Sequence, residues 1–219
     1  MSTLSEFENR LPADLRAAFR SFRSPADIQR YLDSLPYVGE ERDRCPLDVM
    51  KDAQCHCLDG GLFAALALRR IGLPGLLIDL VPAYDRKGKQ LDDDHVLAIF
   101  RRRGCWGAVA KSNYAWLRYR EPVYRSLREL VMSYFEVYFS VEGLKTLRGY
   151  TRALDIARFD RLGYAWSEHG ATELYRILYR RKPIMLISRQ AAAELLPTDE
   201  RGLASGTVGV NFGWVFRPK

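Results

Sequence analysis

The chain has 219 residues, with 34 Lys and Arg against 27 Asp and Glu and a formal net charge of +7. Apolar residues make up 47% of it and charged residues 28%, which excludes a disordered chain, a collagen-like fibre and a disulfide-stapled miniprotein. The basic residues run from Arg10 to Arg217 instead of gathering in one tail, so the charge favours solubility without defining a nucleic-acid surface.

No stretch approaches the roughly 20 apolar residues of a membrane helix. The first ten residues are polar and carry Glu6 and Glu8. They lack the basic start and apolar run of a secretory signal, which predicts a cytoplasmic protein with no membrane partner. Cys45, Cys55, Cys57 and Cys105 do not have the spacing of a disulfide framework, so free thiols are expected. A chain of this size can bury about 70% of its unfolded surface without staples. With no repeat or low-complexity segment, one domain over 1–219 is expected. Its core spans about 45–115, with a helical N-terminal extension over 1–35 and an α/β C-terminal extension over 120–219.

In chain order, Leu15, Ala18, Phe19 and Phe22 recur at helical spacing. Ser24-Pro25 caps a second helix that runs to about Leu35. Residues 36–51 read as a connecting loop. Leu58, Leu62, Ala65 and Leu66 then form the face of the clearest helix, stopped by Gly72 and Pro74. An apolar strand over 76–81 is followed by a polar loop over 85–94. Strands over 96–100 and 106–110 are joined by a tight turn. Ser126-Leu-Arg-Glu129 is a capping box opening a helix with Leu127, Leu130, Val131, Tyr134 and Tyr138 on one face. Mixed strand and loop follow to about residue 160, then a helix over 171–181, a strand over 184–187, and a loose Gly- and Ser-rich tail from Thr198. Consecutive strands joined by a short turn imply an antiparallel sheet and an α+β fold.

Cys57 stands at the start of the best helix, where open N–H groups and the dipole favour a thiolate. Gly60 and Gly61 behind it allow something to approach the first turn closely. Among three histidines, His56 is the sequence neighbour and His169 lies in a polar stretch. His95 begins an apolar strand, on the same face as Leu97 and Ile99. A cysteine at a helix start and an imidazole on an adjacent strand make the pair used for covalent acyl transfer. Cys55-His56-Cys57 spaces its ligand types too tightly for ordinary zinc chelation, so no metal is expected. Tyr114, Trp116, Tyr119 and Tyr124, interleaved with Arg118, Arg120 and Arg125, read as rings in the core and arginines in water. A nucleic-acid partner is not expected. Asp92, Asp93 and Asp94 read as solvating the loop before His95.

The run Cys57-Leu-Asp59-Gly-Gly-Leu-Phe-Ala-Ala-Leu-Ala-Leu-Arg-Arg-Ile-Gly72-Leu-Pro74 resembles the core helix of the transglutaminase-like superfamily, of papain-like cysteine hydrolase fold. The strand over 76–81, His95-Val96-Leu97 and Gly104-Cys105-Trp106 follow in that family's order, so the resemblance covers about 53–113. It implies a Cys-bearing helix on an antiparallel sheet and a thiol hydrolase or acyltransferase acting on an amide or ester carbonyl. The substrate would be a peptide, a protein or a small amide. The family's third residue, an Asp four positions beyond the Trp, is here Ala110. With Arg103-Gly104 as a two-residue turn, His95 falls opposite Ser112 and next to Asn113. Asn113 is therefore expected to orient the imidazole, with Ser112 behind it. The Cys57 N–H and the Gln54 side chain are expected to hold the oxyanion. No phosphate loop or dinucleotide fingerprint is present, so no cofactor is expected. The missing Asp leaves a second reading, a non-catalytic binding or scaffolding module on the same fold.

Overall fold

The computed structural model describes residues 2–218. Three short helices lead in: α1 (Thr3–Arg10), α2 (Ala13–Ser21) and α3 (Pro25–Ser34). Ser24 Oγ accepts the Asp27 N–H while Asp27 accepts the Ser24 N–H, so α3 starts where the cap predicts. α4 (Pro46–Asp52) follows, inside the stretch expected to be loop. Its seven residues mix Asp48, Lys51 and Asp52 with Leu47, Val49 and Met50. That is too short for a helical period to show, but Pro46 at the first position marks its start. α5 (Cys57–Arg70) ends as expected, with Gly72 at φ +81°.

The sheet is formed by β1 (Leu76–Pro82), β2 (His95–Arg102), β3 (Cys105–Val109), β4 (Arg120–Tyr124), β5 (Leu147–Tyr150), β6 (Leu154–Asp155) and β7 (Ile184–Met185). Its order is β4-β3-β2-β1-β5-β7, with β6 also on β1, and every pairing is antiparallel. The fold is α+β. Arg103 and Gly104 both have positive φ, 49° and 82°, which makes the two-residue turn whose twist suits a hairpin. Arg102 pairs with Cys105 and Ala98 with Val109, the register the turn predicts. Strand β4 was not foreseen, and the 146–160 stretch resolves into β5 and β6 along the far edge of β1.

One sheet face, carrying Leu77, Val96, Ala98 and Phe100, packs under α5, the N-terminal helices and α7 (Glu168–Tyr179). The other, carrying Ile78, Leu80, Leu97 and Ile99, packs on α6 (Leu127–Met132) and on Tyr134 and Tyr138 beyond it. α6 is shorter than its apolar face suggests. Ser133 Oγ donates back to the Leu130 carbonyl at 2.6 Å and accepts from Arg120 Nε at 3.0 Å. This local competition for a helical carbonyl ends the helix, and a 3-10 turn over Phe135–Val137 follows. Arg120 lies over the Tyr134 ring at 3.9 Å. Tyr119 stacks on Phe100, but Trp116 stays about half exposed, contrary to the expected burial of every ring in that stretch. After α8 (Arg189–Ala193), the tail forms α9 (Glu200–Gly206) and returns across the molecule instead of lying loosely on its surface.

The first turn of α5 touches the sheet directly. A methyl group at Gly60 would lie 2.4 Å from Lys111 Cβ, and one at Gly61 2.8 Å from Val96 Cγ1. Helix propensity alone would favour Ala at either site by up to about 1 kcal/mol. The overlap outweighs it, so Gly60→Ala is expected to lower stability by roughly 1–3 kcal/mol. Urea unfolding of the two proteins checks this, and an equal or more stable variant refutes the contact.

Candidate functional site

The glycine contacts bring the start of α5 to the end of the sheet where β2 begins. Cys57 is almost fully buried there, and its thiol points at the Asp94 carbonyl oxygen at 3.8 Å. His95 is buried one residue further on, and its Nε2 lies 2.6 Å from the Leu117 carbonyl. A carbonyl only accepts, so Nε2 carries the proton and Nδ1 keeps a free lone pair. Cys57 and His95 line the same cavity, together with Tyr37, Asn113, Tyr138 and Trp214. They share its lining but not a sheet face: strand alternation places His95 with Leu97 and Ile99, while α5 lies over Val96 and Ala98.

Both groups are held neutral. Burial pushes the Cys57 thiol well above its ordinary range, and the charges of Asp93 and Asp94 push the same way. The Val96 amide favours the thiolate but does not outweigh them. Burial likewise pushes the His95 imidazole down to about 4. The helix-start effect that predicts a low thiol pKa is overridden by desolvation.

The other expected participants sit differently. Asn113 lines the cavity, but its side-chain amide is paired with the backbone of Asn211, Nδ2 donating to the carbonyl and Oδ1 accepting the N–H, both at 3.0 Å. The hydrogen bond expected of Asn113 on the imidazole is made by the Leu117 carbonyl instead. Ser112 Oγ accepts the Tyr114 N–H. Gln54 is half-buried in the α4–α5 connection and does not line the cavity. Ala110, where the resemblance would place an Asp, is gripped through its backbone N–H and carbonyl by the Gln29 amide, each bond 3.0 Å.

Several contributors were not read from the sequence. Tyr37 sets its hydroxyl against the Cys57 sulfur, because a short parallel bridge ties it to Cys55. Lys111 is buried and donates through Nζ to the carbonyls of Leu32 and Leu35, fixing the strand end under Gly60. Asp92 is buried, not solvated: its Oδ2 accepts from Thr146 Oγ1 at 2.5 Å and its Oδ1 from the Asp93 N–H at 2.9 Å. Asp59, fully buried in α5, accepts the Arg44 N–H at 2.8 Å. The sequence signal for Asp59 was a charge inside an apolar helix.

The chain's last turn covers the site. Trp214 and Phe216 line the cavity from outside. Trp214 packs on Gly39, where a methyl group would meet its Cβ at 3.2 Å. The strap is held by the Asn113–Asn211 pair, and Gly206 packs flat on the Phe139 ring. What remains is about 40 Å³, space for a water or two and not for an acyl group.

Comparison of the chain with protein-family models and with curated proteins returns no match in either. Among the described residues no helix is long and apolar enough to cross a membrane. All four cysteines are free thiols.

Two outcomes follow from this geometry. Removing residues 208–219 is expected to raise the rate of Cys57 alkylation by iodoacetamide by ~10-fold or more, since only the open fraction of the intact chain can react. Mass spectrometry with Cys105 as internal reference measures it, and an unchanged rate shows that the strap does not guard the thiol. The second outcome concerns pH. Burial pushes Asp59 up to about 8 and Asp92 up to about 6. It also pushes Asp79 well above the carboxylate range. The folded chain therefore holds protons that the unfolded chain releases, so this stability is full at low pH and lost as pH rises through that window. His95 acts oppositely, but only below its unfolded value of about 6.5. The melting temperature is expected to be higher at pH 6.5 than at pH 8.5, with the difference reduced in Asp59→Asn. A higher value at pH 8.5 would contradict the burial of these carboxyls.

Proposed function

We propose that the chain is a thiol hydrolase or acyltransferase on a transglutaminase-like core, acting on an amide or ester carbonyl. The observation that supports it is that Cys57, at the first position of α5, and His95, at the first position of β2, line one small cavity. The order of Cys helix, His strand and returning Trp strand agrees with the resemblance.

In this reading the Cys57 sulfur attacks the acyl carbon as its proton passes to Nδ1 of His95. Because thiol and imidazole are both neutral at rest, proton transfer accompanies attack instead of preceding it. The N–H of Cys57, first in its helix and without an intrahelical acceptor, faces the developing oxyanion. The tetrahedral intermediate collapses to a thioester as His95 returns the proton to the leaving amine or alcohol. Water or an amine then attacks the thioester, His95 accepts its proton, and the thiol is regenerated. The Leu117 carbonyl orients the ring, the part expected of Asn113. Substrate entry requires displacement of Trp214 and Phe216. The substrate is a peptide, a protein or a small amide, in the cytoplasm, and no cofactor enters the scheme.

A second reading, a binding module without turnover, is favoured by the strap filling the cavity and by the engagement of Asn113 elsewhere. The test is incubation with p-nitrophenyl acetate, read as p-nitrophenolate release and as an acetyl adduct located on Cys57 by mass spectrometry. Release is expected to vanish in Cys57→Ala and to fall by ~10²-fold or more in His95→Ala. No adduct on Cys57, in the intact chain or in one shortened after Thr207, favours the binding module.

A further inference from the structure

A second cavity lies on the other side of the 92–94 run from Cys57. Its volume is about 440 Å³. Asp79, Asp94, Tyr84, Tyr179, Thr151 and Arg181 contribute to its lining. Asp79 interrupts an otherwise apolar strand, Leu76-Leu-Ile-Asp-Leu-Val-Pro, and is more than nine-tenths buried. Its backbone is fully used: its N–H donates to Thr151 Oγ1 and its carbonyl accepts the Thr151 N–H, both at 2.9 Å. Its side chain is not, because Oδ1 is buried without a hydrogen-bond partner. Asp94 Oδ2 is in the same condition, and so is Arg181 Nε. Three buried polar atoms in the lining of one cavity therefore lack a partner, although the Asp79 and Asp94 carboxyls also face each other and the Tyr179 hydroxyl is set against Asp94.

An unpaired buried carboxylate oxygen costs free energy on the order of 1–3 kcal/mol, more when charged. Two of them together, one in a strand that could carry Ile or Val, need a reason. The Arg181 guanidinium does not relieve them: its Nη1 is turned to the Ala153 carbonyl at 3.4 Å. Among the described residues no group of three metal-type ligands gathers here or elsewhere, whereas metal sites of hard cations use six or more oxygens. A protonated amine needs less. It brings three donors on one compact charge, and Tyr84 and Tyr179, both half-exposed, give the cavity an aromatic wall of the kind that receives an ammonium.

We propose that this cavity is a binding site for an alkylammonium group, held by the carboxylates of Asp79 and Asp94. The site is separate from the cavity of Cys57 but joined to it by Asp94, whose carboxylate lines this cavity while its carbonyl receives the Cys57 thiol. The inference rests on Asp79 and Asp94 alone and stands whether or not Cys57 is a nucleophile.

Ammonium binding needs the carboxylates ionised. Asp79 is held protonated first by its burial and then by the charges of Asp94 and Asp93 from the loop before β2. Tyr84 after β1, Tyr138 after α6, Tyr179 of α7 and Arg181 beyond it complete the groups around the site. Binding displaces a proton, so affinity is expected to rise from pH 6 to pH 9, where an alkylamine is still mostly charged.

The experiment uses n-butylamine as probe and 1-butanol as its neutral match, read by saturation-transfer NMR on the full chain. Butylamine is expected to bind in preference to butanol, to tighten as pH rises, and to lose ~10-fold or more in affinity in Asp79→Asn and in Asp94→Asn. Both variants keep side-chain volume, and their melting curves show whether they fold. If one does not fold, the other carries the test. Binding is expected to persist in Cys57→Ala, which separates this site from the thiol chemistry, and to strengthen in Arg181→Gln, which removes a like charge. Equal binding of butanol and butylamine, or full affinity in a folded Asp79→Asn or Asp94→Asn protein, overturns the proposal.

Discussion

The site depends on how closely the first turn of α5 can approach the sheet. Gly60 rests against Lys111 and Gly61 against Val96, with no room for a methyl group at either. That contact sets the height of Cys57 over the sheet end and brings its sulfur to Asp94 and the entrance of β2. It also explains why Lys111 is buried with its ammonium turned toward α3. The stem passes beneath the glycines, and its charge is taken up by the carbonyls of Leu32 and Leu35. The N-terminal helices are thereby part of the site's foundation and not an appendage, because α3 receives both Lys111 and, through Gln29, the end of β3.

Around this contact the chain buries ionisable groups of both signs, Arg44 and Lys111 among them, but those that act on the thiol are acidic. Asp59, Asp79 and Asp92 are each less than a tenth exposed, and Asp94 lies beside them. Their effect on the centre is consistent. Negative charge near a thiol opposes its ionisation, and low dielectric opposes the imidazolium, so the resting state is two neutral groups. The open helix end works in the other direction but acts over a single turn. A protonated ligand beside Asp79 and Asp94 would remove part of that repulsion, so the two cavities are coupled through charge as well as through the Asp94 backbone.

Much of the framework was legible in the sequence. The Ser24 cap, the Gly72 stop, the Arg103-Gly104 turn and the hairpin register follow from residues whose backbone preferences leave few choices. The pairing itself stops at Ala98 with Val109, short of His95 and Ser112. Less legible was anything decided by contacts remote in sequence. α4 is too short to show a period, and α6 is ended by a serine that bonds both its own helix and Arg120. His95 takes its partner from Leu117, in a turn that no periodicity announces, and Asn113 is claimed by Asn211, 98 positions away. Asp79 was visible as an aspartate among aliphatics, yet the apolar period of its strand hid it. A charged residue in such a run is the signal to follow.

The strap formed by the chain's end has a thermodynamic consequence. Trp214 and Phe216 are tethered through a short segment anchored at Asn211, so they face the cavity at an effective concentration in the millimolar range without leaving the molecule. Any incoming group competes with this attached occupant at every encounter. The affinity observed for it is the intrinsic affinity multiplied by the fraction of molecules in which the strap stands aside. Selectivity is then set by a contest between guests, and a ligand that also grips the strap gains over one that merely fits the cavity.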